Sequence, residues 1–390
     1  MDHPFDSLDE AALRLRRSAK WTTYPADVLP AWVAEMDYPL AEPIRRALHR
    51  AIDVGDTGYA SPHGLGEAFA AWARARWAWP VAAADVRLGP DVVTAIADLL
   101  RVATAPGDGV VIEPPVYPPF AATVRGLGRA IIEAPLLRSP HGWQPDLDAI
   151  EAAYAKGARV HLLCSPQNPT GIVYSFEALS RIAELADSHG VLVLSDEIHA
   201  PLTLPGASHT PFPAVSEAAR RRSVVLSSAS KGYNVAGLKA AVMVACADEP
   251  RAVLARLPPE MPYHAGHLGV IASLAAFREG DEWLSQVHAI LDRNRLLLGE
   301  LLSARLPGIV YVPPQASYLA WLDCRALELG DDPAQAFVAV GRVALSSGPT
   351  FGAQGAGFAR MNIATSRRLL EEAVRRMEHA VSGGRRAKRA

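Results

Sequence analysis

The chain is 390 residues long and half of it is hydrophobic, enough to bury a large core and to form about two or three domains. Lys and Arg number 39 against 41 Asp and Glu, a formal net charge of -2, so no long-range field of either sign points to nucleic acid or to a membrane surface. The cysteines, Cys164, Cys246 and Cys324, are far apart, odd in number and in no metal-ligand spacing, which speaks against a disulfide framework or a metal centre and for a reducing, cytoplasmic setting.

The N-terminal stretch MDHPFDSLDEAALRLRR is charged and lacks the apolar centre of a secretory signal. No later stretch approaches the roughly 18 uninterrupted apolar residues that cross a bilayer. Residues 1–43 have little periodicity and many turn residues, and are expected to pack on a smaller domain or on a partner subunit. From 44 to 280, short apolar runs alternate with amphipathic segments. The runs are GVVIEPP from Gly109, RVHLLCSP from Arg159, VLVLSDE from Val191, SVVLSSAS from Ser223 and AAVMVAC from Ala240. Phe176 to His189 has helical spacing and a Gly190 stop. Continuous apolar runs suit strands covered on both faces, and their alternation with helices predicts an α/β fold around a mostly parallel sheet. The pattern changes near residue 280. Asp281 to Leu302 reads as one long helix, followed by YVPP, SYLAWLDC and a helix from about Ser366 to Val381, a smaller α+β domain over 281–390. The basic run Arg385 to Arg389 reads as a solvated tail. GAQGAG, from Gly352, only superficially suggests a dinucleotide fingerprint and lacks its strand-turn-helix setting and its acidic residue.

Three segments carry chemistry. In SSASKGYNVAGLK, Lys231 follows a strand within a turn rich in Ser and Gly, whose hydroxyls and amides can meet a phosphate. Most lysines in such places are surface charges. Burial and nearby cations would lower this one's pKa and make it a nucleophile that forms imines. In VLVLSDEIHA, Asp196 ends a buried strand, where it is either a turn cap or the counter-charge of a pyridinium nitrogen. His199 is either a satisfied turn histidine or a neighbour of that ring. In SPQNPTG, Asn168 is either loop punctuation or a donor to a ring oxygen. Asn168, Asp196 and Lys231 each follow a predicted strand, and sites in open α/β sheets gather outside the carboxyl ends of strands.

At these residues the sequence resembles the fold type I enzymes of pyridoxal 5′-phosphate (PLP), the aspartate aminotransferase superfamily of class I/II, and within it the cystathionine β-lyase-like C–S lyase branch. The resemblance covers nearly the whole chain, through KWTTYPADVLPAWVAEMDY, VYPPF, LLCSPQNPTG, SDEIHA, SASKGYNVAGLK, SYLAWLDC and GFARMNIATS. It implies a large PLP-binding α/β domain, a small C-terminal domain and a homodimer that shares its active sites. By the same resemblance Lys231 is the Schiff-base lysine and proton shuttle, Asp196 the pyridinium partner and Asn168 the donor to the ring hydroxyl. Tyr117 is the aromatic on the ring face, though from sequence alone it is an ordinary loop tyrosine. Ser228, Lys239 and the amides of Val92 and Val93 are phosphate ligands. Tyr59 reaches the phosphate from the neighbouring subunit, and Arg360 grips the substrate α-carboxylate.

The sequence departs from the branch at Glu35 in AEMD, at Met361, and at PPEMPYHAGHLG from Pro258, which bears on substrate choice. The implied reaction removes the α-proton of an amino acid and expels a thiol from Cβ, leaving pyruvate and ammonia, with L-cystathionine or a smaller cysteine conjugate as substrate. A class I/II aminotransferase would use the same residues. A PLP-binding regulatory module without turnover is the reading from another class, and the absence of an N-terminal helix-turn-helix disfavours direct DNA binding.

Overall fold

The computed structural model describes residues 4–139 and 142–387, with side chains from 5 to 383, so the basic run after Arg385 lies outside the described side chains. Two helices, α1 (Glu42–Asp53) and α2 (Leu65–Trp77), lead into the strand β1 (Val86–Gly89) and the helix α3 (Val92–Ala103). Then come β2 (Gly109–Ile112), β3 (Ala130–Glu133), β4 (Ala158–Cys164), α4 (Phe176–His189), β5 (Leu192–Asp196), β6 (Ser223–Ser227) and β7 (Ala241–Val244). These strands form a seven-stranded sheet in the order β1-β7-β6-β5-β4-β2-β3. Only β7 runs against its neighbours; the pairings from β6 across to β3 are all parallel.

The apolar runs are continuous because neighbouring residues point to opposite faces and both faces are covered. Val110, Leu162, Leu194 and Val224 join Ile96 and Leu99 of α3 on one side. Val111, Leu163 and Val193 join Ile182, Ala183 and Ala186 of α4 on the other. Each fully buried Val, Leu or Ile contributes roughly 1.5–3 kcal/mol of transfer free energy. The helix α4 starts on Ser175, whose side chain accepts from the Ala178 N–H, and ends on Gly190 at φ 67, the left-handed position glycine tolerates.

After α5 (His267–Glu279) and the long α6 (Asp281–Arg305), a second sheet is built from β8 (Val310–Tyr311), β9 (Leu319–Asp323), β10 (Ser346–Ser347) and β11 (Phe358–Asn362), in the order β8-β9-β11-β10 and antiparallel throughout. The last helix is α7 (Arg367–Ala387). The N-terminal segment, nearly featureless in sequence, is tied to this region. Leu29–Pro30 pairs in parallel with Val343–Ala344, and the Asp37 N–H donates to the Ala364 carbonyl. Lys20 and Asp37 form a buried ion pair at 2.6 Å.

Candidate active site

The carboxyl ends of β4, β5 and β6 converge on a cavity of about 450 Å³ with Asn168, Asp196 and Lys231 in its walls. Tyr117, Val92, Val93, His199, Lys239 and Arg360 line it as well. Residues scattered over most of the chain therefore share one space, as the strand-end argument required.

Each arrives by a local cause. Asn168 stands in a loop held shape-fast by Gln167, whose Nε2 donates to the Pro115 carbonyl at 2.6 Å and whose Oε1 accepts from the Thr170 N–H at 2.9 Å. Gly171 closes that loop at φ 71, where a Cβ would lie 2.4 Å from Pro314. Lys231 lies in a four-residue helix, Ala229–Gly232, capped by the Ser228 hydroxyl, which accepts from the Ser230 N–H. Asp91 caps α3 by accepting from the Thr94 N–H, so the open amides of the helix start face the cavity beside Val92 and Val93. The Lys239 ammonium is 3.2 Å from Asp91, and Lys239 itself is left-handed at φ 59. Gly266 and Gly269 press on that turn, since a Cβ at either would lie 2.2 Å from the Leu238 carbonyl oxygen. The divergent PPEMPYHAGHLG segment thus supports the Lys239 turn from behind.

Lys231 is half-buried and donates to the Ala34 carbonyl at 2.9 Å, an oxygen that also accepts from Tyr318 Oη. Burial first, and the Arg360 charge second, hold its pKa down to about 8. Asp196 is buried, accepts from the Ile198 N–H at 3.1 Å, and is pushed up to about 7, chiefly by burial. His199 is pulled down to about 3 by burial and by the charges of Lys231 and Arg360, so its ring is neutral; Nδ1 lies 3.0 Å from Ser317 Oγ. Tyr117 precedes the helix Pro118–Gly126, and burial raises its pKa.

Arg360 is buried without a carboxylate partner. Its Nη1 donates to Asn168 Oδ1 at 2.9 Å and its Nη2 to the Trp32 carbonyl at 3.1 Å and Ser346 Oγ at 3.0 Å. Its Nε–H has no partner, and the guanidinium lies 4.9 Å from the centre of the Phe351 ring. The cavity thus offers an anion seat at the start of α3, an amine of lowered pKa, a buried acid and a guanidinium with spare donors.

The profile of the family described as aminotransferase class I and II matches residues 27–377. The chain belongs to that family. It is 45% identical to a protein of Mycobacterium tuberculosis named as a putative cystathionine beta-lyase, over 97% of this chain and 98% of that one. It is 36% identical to the cystathionine beta-lyase PatB of Bacillus subtilis, over 91% and 93%. Among solved structures, a putative PLP-dependent beta-cystathionase from Corynebacterium diphtheriae superposes with a TM-score of 0.91 at 35% identity, covering 98% of this chain and 99% of that one. The architecture is the fold type I α/β fold that the motifs implied.

Two of the expected site residues lie outside this family member's cavity wall. Tyr59 is exposed and packs edge-on against exposed Tyr263, 5.9 Å between ring centres. Ser228 turns its hydroxyl to the Ala240 carbonyl at 2.6 Å and to Ser230 Oγ at 2.7 Å, and Ser230 is the serine that lines the cavity. Sequence reasoning also missed Asp91 and Cys164 as wall residues. The helix-cap pattern of Asp91 before VVTA was a usable signal; nothing in the sequence singled out Ser230 over Ser228. Among the described residues no group of three or more His, Cys, Asp or Glu side chains could hold a metal, and no helix is long and apolar enough to cross a membrane.

Proposed function

We propose that this chain is a PLP-dependent carbon–sulfur β-lyase that cleaves L-cystathionine or a related cysteine S-conjugate to thiol, pyruvate and ammonia. The observation that carries the reading is the meeting of Lys231, Asp196 and Arg360 in one cavity of a chain nearly half identical to proteins named for that reaction. The residues fit the cofactor. Asp196 is a buried acid pushed up to about 7, and a cationic ring nitrogen against it would favour its charged form. The α3 amides at Val92 and Val93, with Ser230 and Lys239, suit a phosphate.

PLP bound there supplies an electron sink that makes the substrate Cα–H bond acidic. The chain does the rest. Lys231 would be the amine that holds the cofactor and the group that moves the substrate's α-proton; a pKa of about 8 leaves a usable neutral fraction near neutral pH. Asn168 has its Oδ1 engaged by Arg360, which leaves Nδ2 to donate to the ring oxygen. Tyr117 and His199, in the cavity wall, would lie beside the ring, and Ser228 would act by fixing Ser230. Arg360 holds the substrate carboxylate with the donors its protein partners leave free.

The proposal extends to a homodimer in the cytoplasm, with Tyr59 reaching the partner's phosphate. Its support is the exposure of Tyr59 and the three unpaired cysteines. It also divides the chain into a segment to residue 43, a large domain to 280 and a small domain beyond, supported by a second sheet built wholly from residues after Asp281.

The experiment is a panel of thioether amino acids with the purified holoenzyme and no keto acid. A lyase releases pyruvate, thiol and ammonia in equal amounts. Amino transfer that waits for a keto acid would make the chain an aminotransferase, and bound cofactor without turnover a regulatory module.

A further inference from the structure

A second cavity, of about 470 Å³, adjoins the first and shares Val33, Tyr117, Pro119 and Arg360 with it. A substrate whose carboxylate sits on Arg360 therefore has two spaces within reach. One contains Lys231, and the reacting carbons belong there. The other lacks it and suits the group beyond sulfur, which takes no part in bond-breaking at Cα.

The walls of this second cavity indicate what that group is. Tyr24 and Trp32, edge to face with 5.9 Å between ring centres, and Phe351 make it aromatic. Its acidic wall residue is Asp332, at the start of the helix Pro333–Ala339. The carboxylate does not cap that helix. Oδ2 accepts from Ser347 Oγ at 2.9 Å and from Gln335 Nε2 at 3.0 Å, both neutral donors. Oδ1 is shielded and has no hydrogen-bond partner. A buried carboxylate oxygen without a donor is costly, and in a native protein it calls for an explanation. Arg360 and Asp332 are held by consecutive serines of β10, Ser346 on the first and Ser347 on the second. Asp332 and Arg360 both line this cavity, so it has one acidic and one guanidinium wall residue.

We propose that this cavity is the leaving-group subsite and that Asp332 selects cysteine S-conjugates whose sulfur substituent ends in an ammonium group. The aromatic walls take the aliphatic stem and flank the cation. L-Cystathionine presents such an ammonium, beside a carboxylate on the same carbon. The inference rests on the lyase reading and adds the chemistry of the far end of the substrate.

The test uses the holoenzyme and three length-matched substrates, S-(3-aminopropyl)-, S-butyl- and S-(2-carboxyethyl)-L-cysteine, with S-methyl-L-cysteine as the short control. The wild type is expected to favour the aminopropyl compound over the butyl one by about tenfold or more in kcat/KM, carried by KM, as fits one charge-assisted hydrogen bond, and to use the carboxyethyl compound least. Asp332→Asn, which keeps the Ser347 contact, should erase the preference and leave S-methyl-L-cysteine turnover unchanged. Gln335→Lys should do the same by placing a tethered ammonium on Asp332. An equal or greater kcat/KM for the butyl compound overturns the inference while leaving the lyase reading intact. So does an equal loss on all four substrates in both variants, which marks Asp332 as structural. Failure of every compound to yield pyruvate overturns the lyase reading and this inference together.

Discussion

Replacing Arg360 with lysine isolates geometry from charge. The guanidinium has five N–H donors, and the protein engages three of them, through Asn168 Oδ1, the Trp32 carbonyl and Ser346 Oγ. Two remain for a substrate carboxylate, one of them the unpartnered Nε–H. A lysine ammonium has three donors and the same three acceptors waiting, so binding a carboxylate would mean releasing a protein partner. Losing one charge-assisted bond costs about 1.5–3 kcal/mol, which converts to roughly a 10- to 150-fold weaker KM. The proton-moving amine is untouched, so kcat should fall much less. Steady-state kinetics on L-cystathionine, with a titration of an unreactive amino acid followed through the cofactor absorbance, separates the two effects. A KM within about twofold of wild type, with the variant folded and loaded, would show that the carboxylate is held elsewhere.

Further expectations concern the other walls of the cavity. Asp196 moves from 3.8 in the unfolded chain to about 7 when buried, so the cofactor-free protein is stabilised fully below pH 3.8 and loses that contribution as pH rises through 7. The difference is worth on the order of 4 kcal/mol; Asp196→Asn should therefore raise the Tm of the cofactor-free protein at pH 8 and sharply lower turnover of the holoenzyme, and an unchanged or lower Tm at that pH would contradict the burial argument. Ser230→Ala should raise the Kd for PLP more than a substitution at an exposed serine such as Ser61 does, measured by spectrophotometric titration; equal effects would remove Ser230 from the phosphate seat. Tyr59→Phe should weaken cofactor retention without altering the elution volume of the assembly, and unaltered retention would remove Tyr59 from the shared site.

Much of this was legible in the sequence because the signals were local. The helix from Phe176 to His189 was legible from its spacing and from Gly190, which ends it with a left-handed backbone, while Ser175 caps its start through its side chain. The β4, β5 and β6 runs were legible because strands buried on both faces are mostly apolar, buried His161 being an exception, and Asn168, Asp196 and Lys231 stand at or shortly after their carboxyl ends. What stayed hidden depends on partners distant in the chain. The antiparallel direction of β7 follows from how the chain returns past Lys239, not from the composition of AVMV. The strand β3, AIIE, is short and half-exposed, and its run was too weak to stand out. Whether Ser228 or Ser230 faces the cavity is settled by a hydrogen bond to Ala240, twelve residues on. The N-terminal segment is ordered by Lys20–Asp37 and by pairing with Val343–Ala344, contacts no periodicity announces.

The most direct test of the whole account is chemical. The freshly loaded yellow protein, reduced with borohydride and digested, should yield one pyridoxyl-modified peptide, with the modification on Lys231. A label on Lys239 or any other lysine, or no label in a fully loaded sample, would contradict it.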